Sequence, residues 1–181
     1  MIGPGLDRVL LIGFMGSGKT SVGRRLARAL RWRFVDFDDA IEAEAGATVS
    51  EIFASRGEPA FREIEDRVAR RLLEQRHVVL ASGGGWAAAA PGRLRDLPDG
   101  TATVWLRVSP EEAVRRAGRG GNRPLLARPD ALEEAERLLA RRHPYYEEAR
   151  WTVDTERSSV EDVTSRVLEV LTREYPESPA E

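Results

Sequence analysis

The sequence predicts an α/β fold, a parallel sheet covered on both faces by helices, and two observations carry that prediction. Short apolar runs alternate with stretches of helical periodicity along the chain, the pattern that strand–helix–strand crossovers build. The first apolar run, Val9 to Ile12, ends in Gly13-Phe14-Met15-Gly16-Ser17-Gly18-Lys19-Thr20. That stretch fits the phosphate-loop pattern G-x-x-x-x-G-K-[ST] without a mismatch, and it lies between a strand and a helix, as the pattern requires. With 181 residues and neither internal repeat nor linker, a single domain over 1–181 is expected, long enough to bury a core.

Each element follows from local chemistry. Val9 to Ile12 reads as a strand buried on both faces. Ser21 to Leu30 reads as a helix, with Val22, Leu26 and Leu30 spaced by four. Phe34 to Asp36 is a second strand, and Asp39-Ala40-Ile41-Glu42 has the capping-box spacing that opens a helix. Pro59 starts a longer helix with Phe61, Ile64, Val68 and Leu72 on one stripe. His77 to Ala81 is a third strand running into Ser82-Gly83-Gly84-Gly85, and Thr101 to Val108 is a fourth. Ser109-Pro110-Glu111-Glu112 caps and opens the helix after it. The glycines of Gly118 to Pro124 predict a mobile loop, within a lid over about 115–128. Asp130 to Arg142 is helical and is expected to end at Pro144. Trp151 to Asp154 is a fifth strand. Val160 to Glu174 closes the fold as an amphipathic helix with Val163, Val167 and Val170 inward, and a tail over about 175–181 is expected to fray.

Composition narrows the function classes. The net charge of −2 carries no nucleic-acid footprint. The absence of cysteine excludes disulfides, thiolate metal sites and a cysteine nucleophile. No apolar run approaches the roughly 18 residues that span a membrane, and the first residues lack a charged stretch followed by a long apolar one. A soluble, cytoplasmic protein is the expectation. The 28 Lys and Arg side chains include one lysine, Lys19, and it stands inside the phosphate loop. That loop needs a mobile point charge on the β- and γ-phosphates, a task the planar arginine fork does poorly. The chain therefore reads as a binder of a nucleoside triphosphate.

Several further groups bear on what receives the phosphate. Gly16 and Gly18 let backbone N–H groups turn toward phosphate, the helix that follows points its positive end there, and the Thr20 hydroxyl is placed for Mg²⁺. Asp36 and Asp38 sit at a strand end, on one side of the chain, where ligands bind in open α/β sheets. Asp36 suits Mg²⁺ through water and Asp38 suits an alcohol as proton acceptor; helix capping is the alternative for both. Arg62, three residues before Glu65 on a helix, is a ligand group or a surface ion pair. Gly83, Gly84 and Gly85 clear side chains where something approaches the backbone, or form a plain loop. Arg116, Arg119 and Arg123 lie on or beside the Gly-rich loop, and such an arginine can neutralise charge developing on a phosphoryl group; a solvated loop is the alternative. Arg142 stands at a helix end, where it could equally complement the dipole. His77 and His143 lack the paired spacing of a metal site, and Trp32, Trp105 and Trp151 read as core or half-buried residues.

Together these residues resemble the shikimate kinase family, from about Val9 to Leu171. The resemblance rests on the phosphate loop, on Asp36-Phe37-Asp38, on Phe61-Arg62-Glu63-Ile64-Glu65, on Gly83-Gly84-Gly85, on Arg123-Pro124-Leu125-Leu126 and on Arg142-His143-Pro144-Tyr145-Tyr146, in that order. It implies a three-layer P-loop NTPase fold of the nucleoside-monophosphate-kinase type, with five parallel strands in the order 2-3-1-4-5 and a mobile lid. It implies transfer of the ATP γ-phosphate to the 3-hydroxyl of shikimate, giving shikimate 3-phosphate and ADP on the route to chorismate and aromatic amino acids. By the same resemblance, shikimate is held by Asp38, Arg62, Gly83, Gly84, Gly85 and Arg142, with the two arginines on its carboxylate. ATP is held by Gly16, Ser17, Gly18, Lys19, Thr20 and Ser21, by Arg116 stacked on the adenine, by Arg123 from the lid, and by Arg157 near the adenine, where the spacing is off by about one residue. Lys19, Asp38 and Arg123 take the catalytic roles, and Thr20 and Asp36 serve Mg²⁺. A monomer without nucleic-acid or membrane partners is implied. Two features depart from the family pattern: Thr20-Ser21 reverses the usual Ser-Thr pair while keeping both hydroxyls, and Trp86 stands where a small or aliphatic residue is common. Trp86 is therefore expected beside the shikimate pocket or packed behind the glycine loop. A kinase for another hydroxy acid such as gluconate is the neighbouring reading, and a silent shikimate-binding module is the other; intact Lys19, Thr20, Asp38 and Arg123 argue against silence.

Overall fold

A computed structural model describes residues 2–118 and 130–177. Its elements are β1 (Arg8–Ile12), α1 (Lys19–Leu30), β2 (Arg33–Asp36), α2 (Phe37–Ala45), α3 (Val49–Leu73), β3 (Val78–Ala81), β4 (Thr101–Arg107), α4 (Pro110–Gly118), α5 (Ala131–Tyr146), β5 (Trp151–Asp154) and α6 (Val160–Glu174). The five strands are parallel and run β2-β3-β1-β4-β5 across the sheet, the expected order.

Alternation along each strand feeds two separate cores. Leu10 and Ile12 of β1, Val78 and Leu80 of β3 and Trp105 of β4 point to one face, where Phe37, Ile41, Ile52, Phe61, Val68 and Tyr146 from α2, α3 and α5 cover them. Val9, Leu11, Val79, Val104 and Leu106 point to the other, under Val22 and Leu26 of α1 and Val163, Val167 and Leu171 of α6. Every residue of β1 and of β3 is buried. That is why those strands read as continuous apolar runs instead of alternating ones.

Register sets the site. Leu11 and Asp36 both pair with Ala81. The segments leaving β1, β2 and β3 therefore emerge side by side at the carboxyl edge of the sheet. These segments are the phosphate loop, Asp36-Phe37-Asp38 and Ser82 to Gly85.

The helix boundaries correct three sequence expectations. The cap of α2 is Asp36, whose carboxylate accepts the Asp38 N–H at 3.1 Å; Asp39 is solvent-facing in the first turn, 3.8 Å from Arg24. Phe37 has to enter the core, so the chain turns helical one residue after the strand. Two helical pieces merge in α3 across Gly57, whose backbone (φ 76°, ψ 174°) is not helical. The piece beginning near Pro59 and its buried stripe are as expected; the piece before it, opened by Thr48 and Glu51, is additional. α5 continues through Pro144 to Tyr146. Proline removes one N–H bond and crowds one carbonyl, and with two residues left the helix absorbs this, since the Glu147 N–H still reaches the His143 carbonyl at 3.0 Å. In α6 the inward position is Leu171, and Val170 is half-buried. Residues 119–129, which include most of the expected lid, and residues 178–181 of the expected frayed tail lie outside the described residues. Among the described residues no helix is long and apolar enough to cross a membrane.

Thr48 is exposed and its role is confined to a reciprocal cap: its hydroxyl accepts the Glu51 N–H at 3.2 Å while the Glu51 carboxylate accepts the Thr48 N–H at 2.7 Å. Thr48→Ala is expected to lower the unfolding free energy by about 1 kcal/mol, the usual worth of an N-cap. Urea titration reads this as a shifted midpoint with unchanged slope, and an unshifted midpoint would mean that the first piece of α3 does not depend on its cap.

Candidate active site

The phosphate loop bends between β1 and α1 with Gly18 as the left-handed N-cap (φ 91°) of a helix that has no acidic residue in its first turn. The positive end of that helix is thus left to an external anion. Gly16 (φ 80°) presses on α4: a Cβ there would stand 2.9 Å from the Ala113 carbonyl. Lys19 Nζ donates to the carbonyls of Gly13 at 2.8 Å and Phe14 at 3.0 Å, curling over its own loop. The Ser17 hydroxyl is buried without a hydrogen-bond partner among the described residues, whereas Ser21 is exposed on α1.

Thr20 and Asp36, the two expected metal-serving residues, lie together. The Thr20 hydroxyl donates to Asp36 Oδ2 at 2.7 Å, and Asp36 Oδ1 caps α2. Asp36 therefore does cap the helix, and it does so with one oxygen while the other accepts the Thr20 hydroxyl. A hydroxyl and a carboxylate are hard oxygen donors of the kind Mg²⁺ takes while it keeps waters and phosphate oxygens. Among the described residues no cluster of three or more His, Asp or Glu forms an all-protein metal site. His77 packs on Trp32 and His143 on Trp105, at 5.5 and 5.0 Å between ring centres.

The glycine loop after β3 is where the remaining expected groups meet. A Cβ at Gly83 would stand 2.9 Å from Glu65 Oε1 and 3.4 Å from Asp38 Oδ1. A Cβ at Gly85 would stand 3.0 Å from Arg62 Nη2 and 3.4 Å from Arg142 Nη2. Two guanidinium groups thus converge on Gly85 and two carboxylates on Gly83. Arg62 donates to Glu65 at 2.6 Å and to Glu58 at 3.1 Å. Glu65 is 1 % exposed. Burial pushes its carboxyl above the usual carboxylate range, Asp38 adds to this, and Arg62 and Arg93 oppose it. This pair is not the exposed surface bridge that its spacing allowed. Tyr146 is fully buried, its hydroxyl donates to the Gly84 carbonyl, and burial pushes the phenol up to about 12 against the pull of Arg142.

Arg116 stands between the phosphate loop and the turn after β5. Its Nη1 donates to the Gly16 carbonyl at 3.1 Å and its Nη2 to the Thr155 carbonyl at 2.6 Å. Arg157 is exposed in that turn with φ 50°. Arg119 and Arg123 lie outside the described residues. Trp86 is 2 % exposed and packs behind the glycine loop, edge-on to Phe37 at 5.5 Å with the Arg93 guanidinium 5.0 Å from its ring centre. Sequence reasoning gave no role of their own to three residues: Tyr146, met only as the end of the Arg142-His143-Pro144-Tyr145-Tyr146 stretch, Glu65 as more than a partner, and Glu112. The signal for Glu112 is its spacing, three before Arg115 and four before Arg116, and it is faint because charged pairs at that spacing are common on helices.

Comparison with known proteins agrees with this geometry. A family model described as shikimate kinase matches residues 15–172. The chain is 44 % identical over 163 residues to a shikimate kinase of Moorella thermoacetica, covering 90 % of this chain and 93 % of the relative. It superposes with a TM-score of 0.87 and 35 % identity on a shikimate kinase from Acinetobacter baumannii solved in complex with shikimate, over 95 % of this chain and 96 % of that one. A gluconokinase from Sinorhizobium meliloti 1021 shares the fold, with a TM-score of 0.56 and 22 % identity over 97 % of this chain and 95 % of that one.

Glu112 offers a test of the charge arrangement in solution. Arg115 and then Arg116 hold its carboxyl down from 4.5 to about 2, against the opposing effect of burial. A lowered folded-state value gives stability that is complete above the unfolded value and is lost as pH falls through the folded one. Wild type is therefore expected to lose more unfolding free energy than Glu112→Gln as pH drops from 4.5 toward 2. Denaturant titrations across that window measure the difference, and parallel pH profiles would show that the ion pairs do not persist in solution.

Proposed function

The chain belongs to the shikimate kinase family, and from that premise we propose that its geometry transfers the γ-phosphate of ATP to the 3-hydroxyl of shikimate, giving shikimate 3-phosphate and ADP. One observation carries this reading. Arg62 and Arg142 converge on Gly85 while Asp38 faces Gly83, all beside the phosphate loop. Two guanidinium groups at one point form a carboxylate clamp. A substrate held there by its carboxylate turns a hydroxyl toward Asp38 and the phosphate loop together.

The step then follows. The substrate hydroxyl oxygen bonds to the γ-phosphorus, the bond from that phosphorus to the β,γ-bridging oxygen breaks, and the hydroxyl proton passes to the Asp38 carboxylate. The loop N–H groups and the α1 terminus hold the phosphates. Lys19 leaves the Gly13 and Phe14 carbonyls for the β- and γ-phosphate oxygens, where it offsets the charge that develops. Thr20 and Asp36 would hold Mg²⁺, which when bound neutralises phosphate charge. Arg123 reaches the nucleotide from the lid, and Arg116 and Arg157 flank the base. The reading extends to a monomer working in the cytoplasm. The net charge of −2 gives no support to a nucleic-acid partner.

The test is ADP release, measured by a coupled assay with Mg·ATP against a panel of hydroxy acids. Shikimate is expected to drive turnover and gluconate is not; turnover with gluconate alone would overturn the substrate assignment. Arg62→Ala and Arg142→Ala are each expected to weaken shikimate by about 1.5–3 kcal/mol, the range for a hydrogen bond to a charged group. KM for ATP should change much less. Unaltered shikimate KM in both variants would remove the clamp from the mechanism.

A further inference from the structure

Arg116 is held by its edge. Nε donates to Glu112 Oε1 at 2.6 Å, Nη1 to the Gly16 carbonyl at 3.1 Å and to Thr155 Oγ1 at 3.2 Å, and Nη2 to the Thr155 carbonyl at 2.6 Å. All three nitrogens thus have acceptors within the protein, and guanidinium N–H groups point outward in the plane of the group. What remains for a ligand is the flat face, which suits an aromatic ring. The acceptors at the far side are rigid. Gly16 is pressed on Ala113, and Thr155 is 1 % exposed with its hydroxyl and its N–H both donating to the Arg107 carbonyl at 2.9 Å.

The near side rests on Glu112 alone. Its carboxylate is 10 % exposed and accepts Arg115 Nε at 2.6 Å and Nη2 at 2.5 Å as well as Arg116 Nε. Its backbone N–H is fixed by the Ser109 hydroxyl at 3.3 Å, at the start of α4. Exposed ion pairs of this spacing do little; this one is sheltered, so that replacing the carboxylate by a neutral amide leaves Nε of a half-buried cation with a weaker, uncharged acceptor.

We infer that Glu112 is a positioning residue of the nucleotide site: it sets the plane of Arg116 between the phosphate loop and the turn after β5, so that a purine base meets a flat, fixed guanidinium face. The inference rests on the kinase reading above and deepens its nucleotide half. It makes no claim on the acceptor half, because Glu112 lies on α4 and the clamp lies on α3 and α5.

The experiment compares the full-length chain with Glu112→Gln, Glu112→Asp, Arg115→Ala, Arg116→Ala and the Glu112→Gln/Arg116→Ala pair. ADP affinity is measured by calorimetry and both KM values by the coupled assay. Glu112→Gln is expected to weaken ADP and raise KM for ATP roughly tenfold, the scale of one charge-assisted hydrogen bond, with shikimate KM unchanged. Glu112→Asp should recover part of the loss. Arg115→Ala removes a partner of the same carboxylate without touching the loops, and should leave ADP affinity intact. In the double variant the second change should add little, because Glu112 acts through Arg116. Normal ADP affinity in a folded Glu112→Gln would overturn the inference, as would equal losses in Arg115→Ala or an additive cycle. A wild type that binds ADP but shows no shikimate-dependent turnover would instead overturn the substrate reading and leave these binding arms valid.

Discussion

At Gly13 and Gly16 the loop between β1 and α1 is in backbone-to-backbone contact with the rest of the protein. A Cβ at Gly13 would stand 2.5 Å from the Leu106 carbonyl of β4, and one at Gly16 2.9 Å from the Ala113 carbonyl of α4. Both residues also hold positive φ, at 139° and 80°, which other residues adopt at a cost. The loop is therefore located by main chain against main chain, with no flexible side chain between. Its N–H groups and the terminus of α1 keep one direction, and Lys19 folds back onto the Gly13 and Phe14 carbonyls. The loop is thus preformed, and the other groups of the candidate site are arranged around it.

A second constraint comes from using arginine for almost every other cation. A long cationic side chain loses considerable entropy when it is ordered on a ligand. Three of the four site arginines within the described residues, all but the exposed Arg157, have each been ordered in advance by a different partner. Glu65 and Glu58 hold Arg62, the Tyr146 phenol lies against Arg142 while pinning Gly84, and Glu112 holds Arg116. The partners differ in kind, and so does what each arginine has left to offer. Arg62 shares a buried carboxylate whose charge is already opposed by burial. Arg142 lies against a phenol whose proton is held on by burial.

The sheet was legible because burial on both faces writes itself as unbroken apolar runs: β1, β3 and β4 were found within a residue or two, and β5 and α6 at their observed bounds. Topology came through the resemblance and not through periodicity, since strand order leaves no trace in a single strand. Errors fell at helix ends, where several residues compete for the same role. Asp36, Asp38 and Asp39 can each cap, and the choice of Asp36 depends on Phe37 having a core position to fill. Site residues with a sequence motif, such as Lys19, Thr20 and Asp36, were legible for the same reason that they meet: short segments leave neighbouring strands at one sheet edge. Glu112 and Tyr146 act across 39 to 100 residues of chain through Arg116 and across 62 residues to Gly84. No local spacing announces such a contact.

Trp86 shows how a departure from a family pattern can be absorbed without entering the ligand space. Its indole lies edge-on to Phe37, the residue between Asp36 and Asp38, and it packs against Arg93, which Asp66 holds at 2.7 Å one position after Glu65. One rigid side chain therefore backs the glycine loop, the carboxylate pair at the strand end and the helix that carries Arg62. Its Nε1–H is buried without a hydrogen-bond partner among the described residues, a cost of about 1–3 kcal/mol for a desolvated donor. A buried aromatic of this size offsets that cost through the apolar area it removes from water and its contact with Phe37. The balance favours burial because the glycines in front of it supply no side chains of their own. In this chain the indole fills the volume behind the loop.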